Sequence, residues 1–279
     1  MLLQNLLIPH LALAAYAYVQ GASNFSSGNS LVQAFTSSVT AHSTIIVVQD
    51  YGGGSTSTIS DSAGDTYVGL GQQGSSHAWV WICQNALGGS TTVTIAWTGS
   101  SGSGGISIQE YGGLVTSGGT VGSITNPQSA PGTSANAVTS TATSVSAAPV
   151  MLWGITNDVN GGGGGPPVAG TGFSDRGAIW SLNANDNGGH LEDVRQTSTG
   201  SYALTFTALS GFDNYFTTLL AFQEATAGTC THSGWSKTGA LAVPNGSSGQ
   251  YWSLTGNWVT PDCSSIPYWR PSLGSAGTN

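Results

Sequence analysis

The sequence contains very few charged residues. Only 6% of its 279 residues are Asp, Glu, Lys or Arg, whereas an ordinary soluble domain has about 25%. Ser, Thr, Asn, Gln and 42 glycines supply the polarity instead. Because charge keeps crowded cytoplasmic proteins soluble and unassociated, this composition favours an extracellular protein on a cell-surface filament or a virion surface.

Positive charge is especially scarce. The chain has 4 Lys and Arg residues against 12 Asp and Glu residues, which gives a net charge of -8. So few cations, spread along the chain, cannot neutralise enough phosphates to hold a nucleic acid. An anionic membrane surface is disfavoured for the same reason. We therefore expect neither nucleic acid nor membrane as a partner.

Cysteine is also rare, with three residues in the chain. Cys83 ends an apolar run and is expected to be a buried free thiol. Cys230 and Cys263 lie in a segment poor in aliphatic residues, where a disulfide would contribute roughly 3–4 kcal/mol. We predict that they are bonded, in an oxidising environment. Two unrelated thiols are the alternative.

The sequence lacks the period of amphipathic helices. No window combines a 3.6-residue repeat with capping residues, and only the N-terminal segment and the turn near Asn85 could be helical. Short alternating or β-branched runs between Gly, Ser and Asn clusters predict an all-β fold, an antiparallel β-sandwich of jelly-roll or immunoglobulin-like kind. The predicted strands are 44–50, 65–70, 77–83, 91–97, 105–111, 135–143, 149–156, 176–182, 190–196, 201–207 and 216–222.

Residues 1–17 form an apolar N-terminal arm ahead of the predicted sandwich domain, 18–224. The small residues Ala15 and Ala17 would suit a leader cleavage site, but the segment lacks a basic start and Pro9 interrupts it. It is also too short to span a membrane. We expect a retained arm, buried against its own domain or a neighbouring subunit, with a cleaved leader as the alternative.

Residues 225–279 have a different character, rich in Trp, Gly and Pro. Their aromatic side chains have three possible roles: the small core of a disulfide-linked unit, anchors in a subunit interface, or a platform on which sugars stack. The six aromatic candidates are Trp235, Tyr251, Trp252, Trp258, Tyr268 and Trp269.

Three carboxylates each close a predicted strand: Asp50, Glu110 and Glu224. Two of them could meet at one edge of the sandwich and form the carboxylate pair of a glycosidase. The simpler interpretation is that they are solvated caps at strand ends. No motif positions a Ser nucleophile beside a His, so we expect no catalytic residues.

The densest charge group is Glu192, Asp193 and Arg195, for which we predict a local ion pair that orients one strand. The histidines within or beside strands are single, and we expect structural roles for them. They are His42, His77 and His190.

Weak calcium-binding patterns occur in two turns. One turn carries two carboxylates, and the other places oxygen side chains at alternate positions but lacks the final Glu of a calcium loop. We expect no metal and no cofactor, with calcium as the weak alternative. The candidate ligands are Asp61, Asp65, Asn183, Asn185 and Asp186.

Residues 48–53 and 108–113 share a pattern of apolar residue, Gln, acid, Tyr, Gly and Gly. Two copies are too few for a repeat architecture. We interpret them as two strands that end with the same turn chemistry, and a pseudo-symmetric pair of loops at one pole of the sandwich is the alternative.

The order of motifs from Tyr18 to Glu224 resembles that of a loose class of secreted and phage-borne β-sandwich proteins. The motifs are 61–67, 88–94, 108–114 and 220–223. The resemblance implies a surface or structural module and assigns no catalytic residue.

These observations predict a non-enzymatic structural subunit of an extracellular assembly, either a surface filament or the outer surface of a phage particle. It would be a homo-oligomer or polymer, joined through the arm and the C-terminal aromatic residues. The alternative is a secreted β-sandwich protein that binds or cleaves a surface glycan.

Overall fold

The computed structural model divides the chain into two compact units, Met1–Thr226 and Ala227–Asn279. The residues that it describes all lie in the first unit. They are 15–50, 54–73, 78–99, 102–118, 120–124, 128–129, 137–158, 168–179, 189–207 and 214–225.

The described residues form strands and no helix, so the prediction of an all-β fold is confirmed. The strands in chain order are β1 (Ala17–Gly28), β2 (Ser30–Ala34), β3 (Thr44–Asp50), β4 (Gly54–Asp61), β5 (Val68–Gln73), β6 (Ala78–Cys83), β7 (Thr92–Gly99), β8 (Gly102–Gly112), β9 (Thr120–Ile124), β10 (Gln128–Ser129), β11 (Ala137–Thr139), β12 (Thr143–Val145), β13 (Val150–Asp158), β14 (Ser174–Ile179), β15 (Gly189–Gln196), β16 (Gly200–Tyr202), β17 (Thr205–Thr207) and β18 (Asn214–Gln223).

Two large antiparallel sheets occupy the middle of this unit. The first central sheet has the order β1-β8-β3-β6-β5, and the second has the order β10-β18-β13-β15-β14, with β9 also paired to β18. Smaller sheets cover their outer faces: β2-β7-β4 on the first, and the pairs β11-β17 and β12-β16 on the second.

The sheets pack face to face because the central strands are apolar on both faces. Successive side chains of a strand point to opposite faces. In β3, Ile45 and Val47 join the cluster shared with β2 and β7, whereas Ile46 and Val48 join the cluster between the two central sheets. A third cluster covers the far face of the second central sheet. The predicted sandwich packing is therefore present, with the sheets stacked in four layers.

The two central sheets have the same topology. In each, the strand that comes last along the chain lies second from one edge, so β8 of the first sheet corresponds to β18 of the second.

The sequence pattern at 48–53 and 108–113 does not reflect this correspondence. It belongs to β3 and β8, which are neighbouring antiparallel strands of the first central sheet. Asp50 pairs with Gly105, and Glu110 pairs with Ile45, so the two acids lie at opposite ends of the sheet. The alternative of two loops at one pole is wrong, because antiparallel strands end at opposite poles.

Several strands differ from the predictions. Strands β1, β2, β4, β9 and β10 were not predicted, and β1 and β4 among them are polar and rich in Gly and Ser. The predicted strand 201–207 forms two short strands, β16 and β17, rather than one. Residues near Asn85 form a bend and no helix.

Candidate functional site

The base of the N-terminal arm is fixed by a buried carboxylate, that of Asp193 in β15. Tyr16, just before β1, donates its hydroxyl to Oδ1 at 3.0 Å, and Tyr111 of β8 donates to Oδ2 at 2.9 Å. Arg176 of β14 pairs with both oxygens through Nε and Nη2, with Nη2 2.9 Å from Oδ1. The side chain of Asp193 is fully buried. One anion therefore joins the arm to both central sheets.

Aromatic contacts extend this cluster. The Arg176 guanidinium lies 4.3 Å from the centroid of the Tyr18 ring, a cation–π geometry. Tyr18 in turn meets Tyr111 edge to face at 5.5 Å. Burial, and then the negative charge of Asp193, raise the pKa of Tyr111, so its hydroxyl stays a donor. We call this cluster the tyrosine anchor; it consists of Tyr16, Tyr18, Tyr111, Arg176 and Asp193.

A groove of about 630 Å³ opens beside β5, the edge strand opposite β1 in the first central sheet. It is lined by the segment that leads into β5, by residues after β6 and by 116–118 after β8. Two exposed aliphatic side chains, Val68 and Leu87, line it together with the buried Ile82 and Leu220. We call it the β5 groove. Its lining is mainly apolar.

Two hydrogen bonds connect the segments that line the β5 groove. The backbone N–H of Leu87 donates to Asp65 Oδ1 at 2.6 Å, and Gln84 Nε2 donates to the Gly118 carbonyl at 2.7 Å. Asp65 is the one charged side chain among the described lining residues. The groove is therefore preformed and almost free of charge.

The calcium candidates Asp61 and Asp65 lie together, and three of their four carboxylate oxygens accept hydrogen bonds, whereas Asp65 Oδ2 accepts none. Asp61 Oδ1 accepts the N–H groups of 63–65 at 2.7–3.0 Å, and its Oδ2 accepts the Tyr67 hydroxyl at 2.7 Å. Burial raises the pKa of Asp65. Among the described residues, no group of three or more His, Cys, Asp or Glu could hold a metal. The other candidates, Asn183, Asn185 and Asp186, lie outside the described residues.

Asp50 and Glu110 do not form the carboxylate pair of a glycosidase that the sequence allowed, because they lie at opposite ends of the first central sheet. Glu110 is not a solvated cap either. It is fully buried and accepts the Thr40 N–H and the Ser43 hydroxyl, each at 2.8 Å. Glu224 is held in a separate contact with Arg195. The described carboxylates of this set thus hold loops and strands.

The predicted ion pair of Arg195 with Glu192 and Asp193 is wrong. Arg195 pairs with Glu224 through both oxygens, at 2.5 and 2.7 Å. Glu192 and Asp193 are adjacent in β15 and therefore point to opposite faces of the sheet. Asp193 joins the tyrosine anchor, whereas Glu192 Oε2 accepts the Gly170 N–H at 2.7 Å.

Glu192 and His190 lie on the same face of β15, and burial shifts the pKa of each. His190 Nε2 lies 3.0 Å from Asp175 Oδ1 but is not aligned for a hydrogen bond, and the Phe206 ring meets the imidazole edge-on at 6.3 Å. Burial lowers the pKa of His190. Burial also raises the pKa of Glu192 to about 7, although the Gly170 N–H opposes this, and Glu192 Oε1 has no hydrogen-bond partner. Both side chains are buried.

Of the remaining histidines and cysteines, His42 and Cys83 belong to the described residues. His42 Nδ1 lies 2.8 Å from Asn85 Oδ1, in a loop contact that fits a structural role. Cys83 is free and buried as predicted, and burial raises its pKa to about 11. His77, the proposed disulfide and the six aromatic candidates of the C-terminal segment lie outside the described residues.

Sequence reasoning missed the tyrosine anchor and the β5 groove. One signal for the anchor was available: a lone Arg in a chain so poor in charge is expected to be paired when it is buried. Its partner could not be identified, because Arg176 and Asp193 are 17 residues apart in sequence and meet only through the pairing of β14 with β15.

No helix long and apolar enough to cross a bilayer occurs in the described part of the chain. The chain matches no protein-family model, no curated protein and no solved structure.

Proposed function

We propose that this protein is a non-enzymatic structural subunit of an extracellular assembly, a surface filament or the outer surface of a virion. Copies associate through the apolar N-terminal arm, with the C-terminal aromatic residues as a second contact. The observation that carries the proposal is the tyrosine anchor, which holds the base of the arm through Tyr16. An apolar segment attached to a fixed point is suited to insertion into a neighbour.

The charged groups support a structural role. Every carboxylate whose side chain is described accepts a hydrogen bond from the chain itself, and both described cations, Arg176 and Arg195, are ion-paired. These carboxylates are Asp61, Asp65, Glu110, Asp175, Glu192, Asp193 and Glu224. Their hydrogen bonds hold turns, loops and sheets.

The apolar composition of the arm supplies the driving force for association between copies. Residues 1–14 contain six Leu, one Ile and no charged side chain. Burying one such side chain contributes roughly 1.5–3 kcal/mol. Exposing all of them in water would therefore be strongly unfavourable, and burial in a second copy removes them from solvent.

Sedimentation velocity of the full chain and of a variant with residues 15–279 tests this proposal. The deletion ends at residue 14 because Tyr16 donates a hydrogen bond to Asp193. We expect the full chain to form large species and the shortened chain to sediment as a monomer. A full-length L6S/L7S variant controls for arm length and should associate weakly. Equal association of the full chain and 15–279 would contradict the proposal.

A further inference from the structure

We infer that the β5 groove is the receptor for residues 1–14 of a neighbouring copy. This inference rests on the proposed function, because it names the surface that receives the arm.

The first argument is the exposure of the groove's apolar side chains. Val68 and Leu87 are 64% and 63% exposed, the highest values among the large hydrophobic residues that the structure describes. Both line the same groove, beside the buried Ile82 and Leu220. Contiguous exposed apolar surface of this kind marks interaction sites more often than scattered single residues do. The groove thus offers a site to an apolar partner.

The second argument is the chemistry of the occupant. No described lining residue is a cation, and the one carboxylate, Asp65, already accepts the Leu87 N–H. An uncharged segment rich in Leu therefore suits the groove better than an anionic or cationic partner would. Residues 1–14 have this composition. Chain of this length reaches roughly 46 Å when extended, enough to span a contact between two copies.

The third argument is the position of the arm and the groove on the first central sheet. The arm enters at β1 and the groove lies beside β5, at opposite edges. The sheet is about 19 Å wide at the usual strand spacing. Strand register places Tyr18 of β1 and Val68 of β5 at the same end of this sheet, so a neighbouring copy that contacts this end reaches both the arm and the groove. The chain's own arm is the competing occupant; if it fills the groove, the full chain stays monomeric.

This arrangement has a consequence for symmetry. A contact between two different surfaces of the same chain is head-to-tail: unless two copies exchange arms reciprocally in a two-fold dimer, it produces rings or open filaments. The β5 groove predicts the second outcome, polymers that grow by one arm-to-groove contact per copy.

A complementation experiment tests the inference. One partner is the chain 15–279, which keeps the groove but lacks the arm. The other is the full-length double variant V68D/L87D, which keeps the arm but places carboxylates in the groove. Burying a carboxylate without a partner is strongly unfavourable, so V68D/L87D should lose self-association by about tenfold or more. Since both positions are exposed, the variant should fold, and V68S/L87S provides a milder version.

We expect each partner alone to be monomeric and their mixture to form a 1:1 dimer in sedimentation velocity. The matched control is V32D, at an exposed valine of β2 outside the groove, which should polymerise like the unchanged chain. If V68D/L87D also polymerises like the unchanged chain, or if the mixture forms no dimer while the unchanged chain polymerises, the groove is not the receptor and the proposed function stands. If 15–279 polymerises like the full chain, the arm is not the means of association and both proposals fail.

Discussion

Replacing Asp193 by Asn should destabilise the protein strongly, because Asp193 joins both central sheets to the base of the arm. Its buried carboxylate accepts hydrogen bonds from Tyr16 and Tyr111 and pairs with Arg176. An Asn side chain keeps one acceptor but turns an N–H group toward these donors. Arg176 then lacks its counter-charge beneath the Tyr18 ring.

The magnitude follows from the burial of the two partners. Removing one member of a buried ion pair costs about 3–5 kcal/mol. The side chain of Arg176 is 20% exposed, so water partly hydrates its charge and the lower end applies, about 3 kcal/mol. For a domain of this size, 1 kcal/mol shifts the melting temperature by roughly 2–4 °C. We expect Tm to fall by about 6–12 °C.

Thermal unfolding followed by circular dichroism measures this change. E224Q is the matched control, because it also removes the carboxylate of an ion pair but leaves Arg195, which is 42% exposed and better hydrated than Arg176, so its loss should be smaller. The double variant D193N/R176M should recover part of the stability, since it removes the unpaired cation and the two residues are in contact. A loss below about 1 kcal/mol for D193N, or no recovery in the double variant, would refute this account of the anchor.

Three further predictions concern one titratable group and the cysteine thiols. The folded-state pKa of Glu192 is about 7 rather than the ordinary 4.5. Between these pH values the folded chain keeps a proton on Glu192 that the unfolded chain has lost, so the contribution of Glu192 to the free energy of unfolding falls as pH rises from about 4.5 to 7. Urea unfolding of E192Q and of the unchanged chain measures this. The free energy of unfolding of E192Q, relative to that of the unchanged chain, should rise by about 2 kcal/mol between pH 5 and pH 8, after allowance for solvent screening. A difference between the two chains that does not change with pH would contradict this. Cys83 should react slowly with a thiol reagent until the chain unfolds, because it is buried and its pKa is about 11. Peptide mapping without reduction should link Cys230 to Cys263, and a disulfide that contains Cys83 would overturn that pairing.

The local sequence pattern was sufficient to predict strands that are apolar on at least one face. The run 44–50 forms β3 over the predicted residues, and 190–196 differs from β15 by one residue. Strand β1 has polar and small residues, with no apolar alternation, and was missed. The four-layer stacking was also beyond local pattern, because a run such as Ile45–Val48 shows that both faces are buried without indicating which sheet covers each face.

The side-chain contacts that the sequence analysis missed in the candidate site join different strands and loops of the fold. Nearness in sequence suggested that Asp193 pairs with Arg195, two residues away. The structure pairs it with Arg176 of the neighbouring strand instead, because β14 lies beside β15. Glu110 was expected at a solvated strand end, but the loop that carries Thr40 folds over it. Both outcomes depend on tertiary contacts that a single strand does not specify.

Electron microscopy of the purified full-length protein tests the central claim most directly. The account predicts regular polymers built from one repeating subunit, which are absent from a sample of 15–279 prepared at the same concentration. Full-length protein that appears as separate, uniform monomers would contradict the claim that this chain is a self-assembling structural subunit.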